Sequence, residues 1–152
     1  AATAQRLGSC HAIMWGVPHH VDAWITHQAR LGVDGVHMYT YEGKDGVPQE
    51  MREAIRARHE LPVELVEWPA PPWEWSMQGY FRGQTNAISH CVLRGAALYR
   101  WVLVSDTDEF LQLGTGYRFA DLRQLLRERG GGEREADQLV VERHAFQGLP
   151  ED

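Results

Sequence analysis

The chain has 152 residues, enough for one domain with a core but short for many α/β enzymes. Its 15 Lys+Arg and 21 Asp+Glu leave a formal charge of -6 without a polybasic run, so nothing favours nucleic acid or an anionic membrane surface as partner. No apolar stretch approaches the roughly 20 residues that span a bilayer, no signal-peptide pattern opens the chain, and two cysteines are too few for a disulfide framework.

The predicted elements begin with a short apolar strand, Ser9 to Trp15, where Cys10 reads as a small buried residue. Val21, Trp24, Ile25, Gln28 and Leu31 then recur at helical spacing, and Gly32 closes that helix at the position where glycine most often does so. His19 and His20 precede it; adjacent side chains point apart, so helix entry is their expected role rather than metal binding. A β-rich alternating run, Val33 to Tyr41, predicts a second strand, followed by the turn-forming loop Glu42 to Pro48. Gln49 to Glu60 predicts a charged helix with Met51 and Ile55 inward. Pro62 ends it, and Val63 to Trp68 alternates as a third strand.

Pro69-Ala70-Pro71-Pro72-Trp73-Glu74-Trp75 suits neither helix nor inner strand, and its tryptophans either pack under a long loop or stack on a ligand. A helix is expected from about Gln84 to Tyr99 through Ile88, Cys91, Val92 and Leu98, with Cys91 another small buried residue and a Cys10–Cys91 bridge the alternative. Ala120 to Arg129 predicts an amphipathic helix through Leu122, Leu125 and Leu126, and Gln138 to Arg143 a last strand after the Gly130-Gly131-Gly132 break. Alternating strands and helices of this kind predict an α/β fold with a mostly parallel sheet.

The most informative segment is Trp101-Val102-Leu103-Val104-Ser105 running into Asp106-Thr107-Asp108-Glu109-Phe110-Leu111. So continuous an apolar run suits a strand covered on both faces. Ligands of open α/β sheets bind outside the carboxyl ends of the strands. Three acids gathered there repel one another unless a cation lies among them. Hard oxygen donors suit Mg²⁺ or Mn²⁺, which takes one or two protein carboxylates and otherwise serves substrate phosphates. Asp106 and Asp108 are the candidate metal ligands, provided the chain turns at Thr107 so that both carboxylates converge. The plain alternative is a solvated acidic turn. Gln84 and Asn86, at the expected helix start, are donor-binding candidates or simple caps, and Asp45 is a nucleotide contact or a turn residue.

Three stretches carry a family resemblance: the Trp-containing helix with Leu31-Gly32-Val33 and the strand through Tyr39; Gln84-x-Asn86 with His90-Cys91-Val92-Leu93-Arg94; and Arg100-Trp101-Val102 leading to Asp106-Thr107-Asp108-Glu109-Phe110-Leu111. Together they resemble glycosyltransferase family 92 and the related family-2-like transferases. The resemblance implies a GT-A-like, Rossmann-like sheet with flanking helices, covering residues 1–152 as the donor-binding front of a domain whose acceptor half and catalytic base would lie outside the chain. It implies transfer of a hexose from a nucleotide sugar, UDP-linked, to a glycan acceptor, with inversion. Asp106 and Asp108 would hold Mn²⁺ or Mg²⁺ on the donor diphosphate, with Asp45, Gln84, Asn86 and Asp106 at the donor. It also implies a Golgi or other secretory-pathway membrane setting, through a segment absent from this chain. Two departures stand out: after the first strand no acid occurs until Asp22, and the second strand ends Tyr39-Thr40-Tyr41-Glu42 where the family has Tyr-Asp-Asn. The rival readings are a noncatalytic donor-binding remnant and a haloacid-dehalogenase-type phosphatase, the latter disfavoured by Phe110 two places after Asp108.

Overall fold

Four parallel strands alternate with helices, β-branched and aromatic residues dominating all but the first of them. The structure, a computed structural model, describes residues 6–14, 20–42, 46–69, 78–113 and 122–130. In chain order the elements are β1 (Leu7–Met14), α1 (Val21–Arg30), β2 (Gly35–Tyr41), α2 (Gln49–Arg58), β3 (Val63–Trp68), α3 (Gln78–Ala96), β4 (Trp101–Val104) and α4 (Leu122–Gly130). The sheet order is β3-β2-β1-β4. Chain order thus runs one way from β1 to β3 and then returns to lay β4 against the other side of β1, with Leu7 opposite Trp101 and Cys10 opposite Val104. Parallel crossovers are almost always right-handed, so this reversal carries α3 to the opposite face. The packing agrees: side chains of α1, α2 and α4 share one core with Leu7, Val36, Met38 and Leu65, whereas Ala87 and Cys91 of α3 pack with Cys10, Tyr39 and Tyr41. The expected α/β architecture is therefore present.

Helix α1 contributes Val21, Trp24 and Ile25 to the larger core. Val21, Trp24, Ile25, Gln28 and Leu31 are all buried, as their spacing predicts. Its end is a Schellman arrangement. The Gly32 amide donates to Ala29 O at 3.0 Å, the Val33 amide to Gln28 O at 3.1 Å, and Gly32 takes φ +78°, where an L side chain would be strained. The Gln28 side-chain amide is fully buried and finds no hydrogen-bond partner. A buried polar group left in that state costs on the order of 1–3 kcal/mol.

An ion-paired belt closes the amino edge of the sheet. Asp34 Oδ2 accepts the Leu7 amide at 2.8 Å, and its Oδ1 accepts from Arg123 of α4 at 2.7 Å while Arg123 also donates to Gly32 O. Burial acts to raise the Asp34 pKa, but the Leu7 amide and Arg123 outweigh it and hold the carboxyl below its usual range. On the other face, His37 Nδ1 lies 2.8 Å from Glu64 Oε2 and His37 Nε2 lies 3.1 Å from the Tyr99 hydroxyl; Arg94 donates to Glu64 Oε1 at 2.8 Å. Burial pushes the Tyr99 phenol up.

Several expectations need correction. The most continuous apolar run, in β4, is not covered on both faces: β4 is an edge among the described strands and Val104 is exposed, while β2 is buried along its whole length. A central strand is one flanked on both sides, which the run alone does not reveal. Helix α3 begins at Gln78 rather than near Gln84, because Gly79 and Gly83 weaken the local propensity that marks a helix in sequence. Its buried face is Ala87, Cys91 and Gly95, whereas Val92 and Leu98 are exposed. Small residues there allow close approach: a Cβ on Gly95 would meet Val102 Cγ2 at 2.9 Å. The two cysteines are not free but joined as Cys10–Cys91, with Cα atoms 6.1 Å apart. The predicted strand at 138–143 and the tryptophans at 73 and 75 lie outside the described residues.

Candidate functional site

Strand order reverses between β1 and β4, and ligands of such sheets bind at the carboxyl rim beside a reversal of this kind. The acidic segment stands at that rim. Ladder pairing continues as far as the Ser105 amide, which donates to Cys10 O at 3.2 Å, and the chain then turns. The Glu109 amide donates to Asp106 O at 2.9 Å, closing a four-residue turn with Thr107 and Asp108 at its centre. Reciprocally, Glu109 Oε2 accepts the Asp106 amide at 3.0 Å. Thr107 is buried, Asp106 half-buried and Asp108 exposed. One acid of the three thus fixes the turn, and the two aspartates flank its buried threonine.

The segment beyond the turn is held against α1. His27 Nε2 lies 2.9 Å from Leu111 O, and its ring packs edge-on to Phe110 at 5.2 Å. Phe110, the residue that weighed against a phosphatase, serves this contact. Asp22, the first acid after β1, is already engaged: His59 lies 3.0 Å from its Oδ1 and Arg58 2.8 Å from its Oδ2, and His59 foremost keeps its pKa low.

Helix α3 runs back from the carboxyl rim to the amino edge, so its early turns stand at the same rim as the acidic turn. Cys91 is tied to Cys10, which pairs in register with Val104. At 1.5 Å per helical residue, Asn86 lies about 7.5 Å and Gln84 about 10 Å rimward of Cys91. At 3.3 Å per strand residue, Asp106 lies about 7 Å rimward of Val104. All three therefore stand at comparable height. Gln84 is two turns from Cys91 on the same helix face and is half-buried; Asn86 lies well round the helix and is exposed. Neither is an N-cap, since both are inside α3, so the capping alternative is withdrawn. Asp45 lies outside the described residues. The chain after it is fixed by the Val47 amide donating to Thr40 Oγ1 at 2.8 Å, and a Cβ on Gly46 would collide with the Tyr41 carbonyl.

The two aspartates offer hard carboxylate oxygens, the donor type that Mg²⁺ and Mn²⁺ take. No group of three or more His, Cys, Asp or Glu that could hold a metal occurs among the described residues. Mg²⁺ and Mn²⁺ take one or two protein carboxylates and complete their shells with water and phosphate oxygens. A cavity of about 370 Å³ opens elsewhere, at the amino edge among His37, His59, Glu64 and Tyr99. Those four groups are all paired, to one another, to Asp22 or to Arg94. The chemistry of the acids and the sheet topology favour the carboxyl rim over that cavity. Sequence reasoning missed the turn-locking contact of Glu109, although an acid three residues after Asp106, as in a capping box, was the available signal.

Comparison with known proteins bears on the whole of this region. The family description "Glycosyltransferase family 92" matches residues 5–131. A glycosyltransferase family 92 protein of Ricinus communis is 24% identical over 123 residues, 81% of this chain and 20% of that protein. A second match of that description in the same organism is 29% identical over 101 residues, 66% of the chain and 15% of the relative. One from Oryza sativa subsp. japonica is 27% identical over 88 residues, 58% of the chain and 13% of the relative. The chain thus spans a fifth or less of the length of these relatives. No solved structure matches it.

Proposed function

The chain belongs to glycosyltransferase family 92, and on that footing we propose that it forms the donor-binding part of a metal-dependent hexosyltransferase that uses a UDP-sugar and a glycan acceptor. One observation carries the reading: a turn with two aspartates, locked by Glu109, at the carboxyl rim beside the β1–β4 reversal. Asp106 and Asp108 hold Mn²⁺ or Mg²⁺ against the donor diphosphate. When bound, the ion supplies Lewis-acid stabilisation of the charge that develops on the departing nucleotide. Glu109 keeps the turn in shape without spending its carboxylate on the metal. Gln84 reaches the donor from α3 as a neutral hydrogen-bonding group, with Asn86 at the outer margin, and Asp45 is a nucleotide contact on the family resemblance alone.

A setting in the Golgi or another oxidising, secretory-pathway compartment is part of the proposal. The Cys10–Cys91 bridge supports it, because such bonds persist in oxidising surroundings. No helix of the described residues is long and apolar enough to cross a membrane.

The test is calorimetric titration of the chain with UDP, with and without Mn²⁺, for the wild type and Asp108→Asn. We expect Mn²⁺-dependent binding that the variant loses while its circular dichroism stays unchanged. Equal binding by both proteins would refute the metal assignment.

A further inference from the structure

The described part of α3 buries unusually little. From position 83 onward only Ala87, Cys91 and Gly95 are buried, while Val92 and Leu93 face outward, Leu93 at 76% exposure. By contrast, α1 buries Trp24, Ile25, Val21 and Gln28. Stabilisation from apolar burial scales with the area removed from water, so an alanine and a half-cystine contribute less of it than the buried side chains of α1 do. Midway along α3 the covalent bond to Cys10 closes a separation of 81 residues with both cysteines 1% exposed, and around it His90 Nδ1 lies 2.7 Å from the Tyr39 hydroxyl and Arg94 donates to Glu64 at 2.8 Å.

The bond also joins two particular places. Cys10 lies in β1 opposite Val104, two residues before Asp106, and its carbonyl accepts the Ser105 amide at 3.2 Å. Cys91 lies two helical turns from Gln84 on the same face. The bridge therefore spans the strand pair that presents the acidic turn and the helix that presents Gln84.

We propose that Cys10–Cys91 is a positioning device for the donor site, holding the rimward half of α3 at a fixed station beside the Asp106–Glu109 turn. This rests on the reading of that rim as a nucleotide-sugar site. A donor gripped between helix and turn loses affinity when the helix wanders, even while the sheet remains folded.

The test compares the wild-type chain with Cys10→Ala/Cys91→Ala, using Cys10→Val/Cys91→Ala to restore lost volume should the first variant fail to fold. Binding of UDP with Mn²⁺ is measured in the cold, well below the melting transition, alongside Tm and amide hydrogen exchange. We expect Kd to rise about tenfold or more, with faster exchange confined to residues 84–91 and none added in β2. A lowered Tm with unchanged Kd would overturn the proposal, leaving only a staple of the fold. Failure of both variants to fold would also overturn it, because the bridge would then serve the whole sheet. If the wild type itself does not bind UDP, the reading of the rim fails separately, and exchange decides here: acceleration limited to residues 84–91 supports positioning, and uniform acceleration refutes it.

Discussion

Replacement of Asp34 should show how far the amino-edge belt stabilises the domain. Its carboxylate accepts the buried Leu7 amide at 2.8 Å and an Arg123 N–H at 2.7 Å, with the side chain 28% exposed. Hydrogen bonds to a charged group contribute about 1.5–3 kcal/mol each, and partial exposure favours the lower figure. Arg123 keeps Gly32 O after the change, so its loss is incomplete. Asp34→Ala should therefore cost about 2–3 kcal/mol near neutral pH, and Asp34→Asn, which keeps an acceptor but no charge, about 1–2 kcal/mol. For a chain of this length the alanine variant should melt roughly 5–10 °C lower. The pH dependence carries a definite sign. Because the folded Asp34 pKa is depressed, its contribution is complete above the unfolded value near 3.9 and is lost as pH falls through the folded value. Guanidinium unfolding should accordingly show the gap between wild type and Asp34→Ala narrowing below about pH 4. A gap under about 0.5 kcal/mol at neutral pH, or one that does not change with acid, would refute the reasoning.

Two further substitutions probe other parts of the structure. Gln28→Met replaces a buried, unpartnered amide by an apolar side chain of similar volume and should raise stability by about 1–2 kcal/mol in the same unfolding assay; a loss of stability would mean that the amide is satisfied after all. Glu109→Ala removes the acceptor of the Asp106 amide, a cap-like loss of about 1 kcal/mol, and should weaken Mn²⁺-dependent UDP binding in calorimetry. Glu109→Gln, which still offers an oxygen, should restore most of that binding; no difference between the two would remove Glu109 from its turn-locking role.

The strength of each sequence signal explains what was legible. Trp24, Ile25, Gln28 and Leu31 share one helical stripe ended by a glycine, two independent cues that agree, and α1 forms where they place it. Strand β3 has the predicted limits because Pro62 and Pro69 bracket it. Helix α3 began a turn and a half earlier than expected, since its glycines lower propensity and its buried face is made of residues too small to mark a stripe. The pairing of Cys10 with Cys91 depends on β1 lying beneath α3, a long-range fact set by the strand reversal rather than by spacing along the chain. The acids at the end of β4 were visible as a cluster, but their division of labour was not. Which of three neighbouring carboxylates turns back onto an amide depends on the turn itself.

The paired amino-edge belt has a consequence for how such a domain diversifies. Asp34, Arg123, His37, Glu64 and Tyr99 tie strand beginnings and helix ends together at the edge opposite the acidic turn. On the proposed reading of the rim, this belt and the donor contacts draw on different residues at opposite ends of the same strands. On that reading, substitutions at the rim can alter the proposed donor contacts without touching the belt that ties the amino edge together.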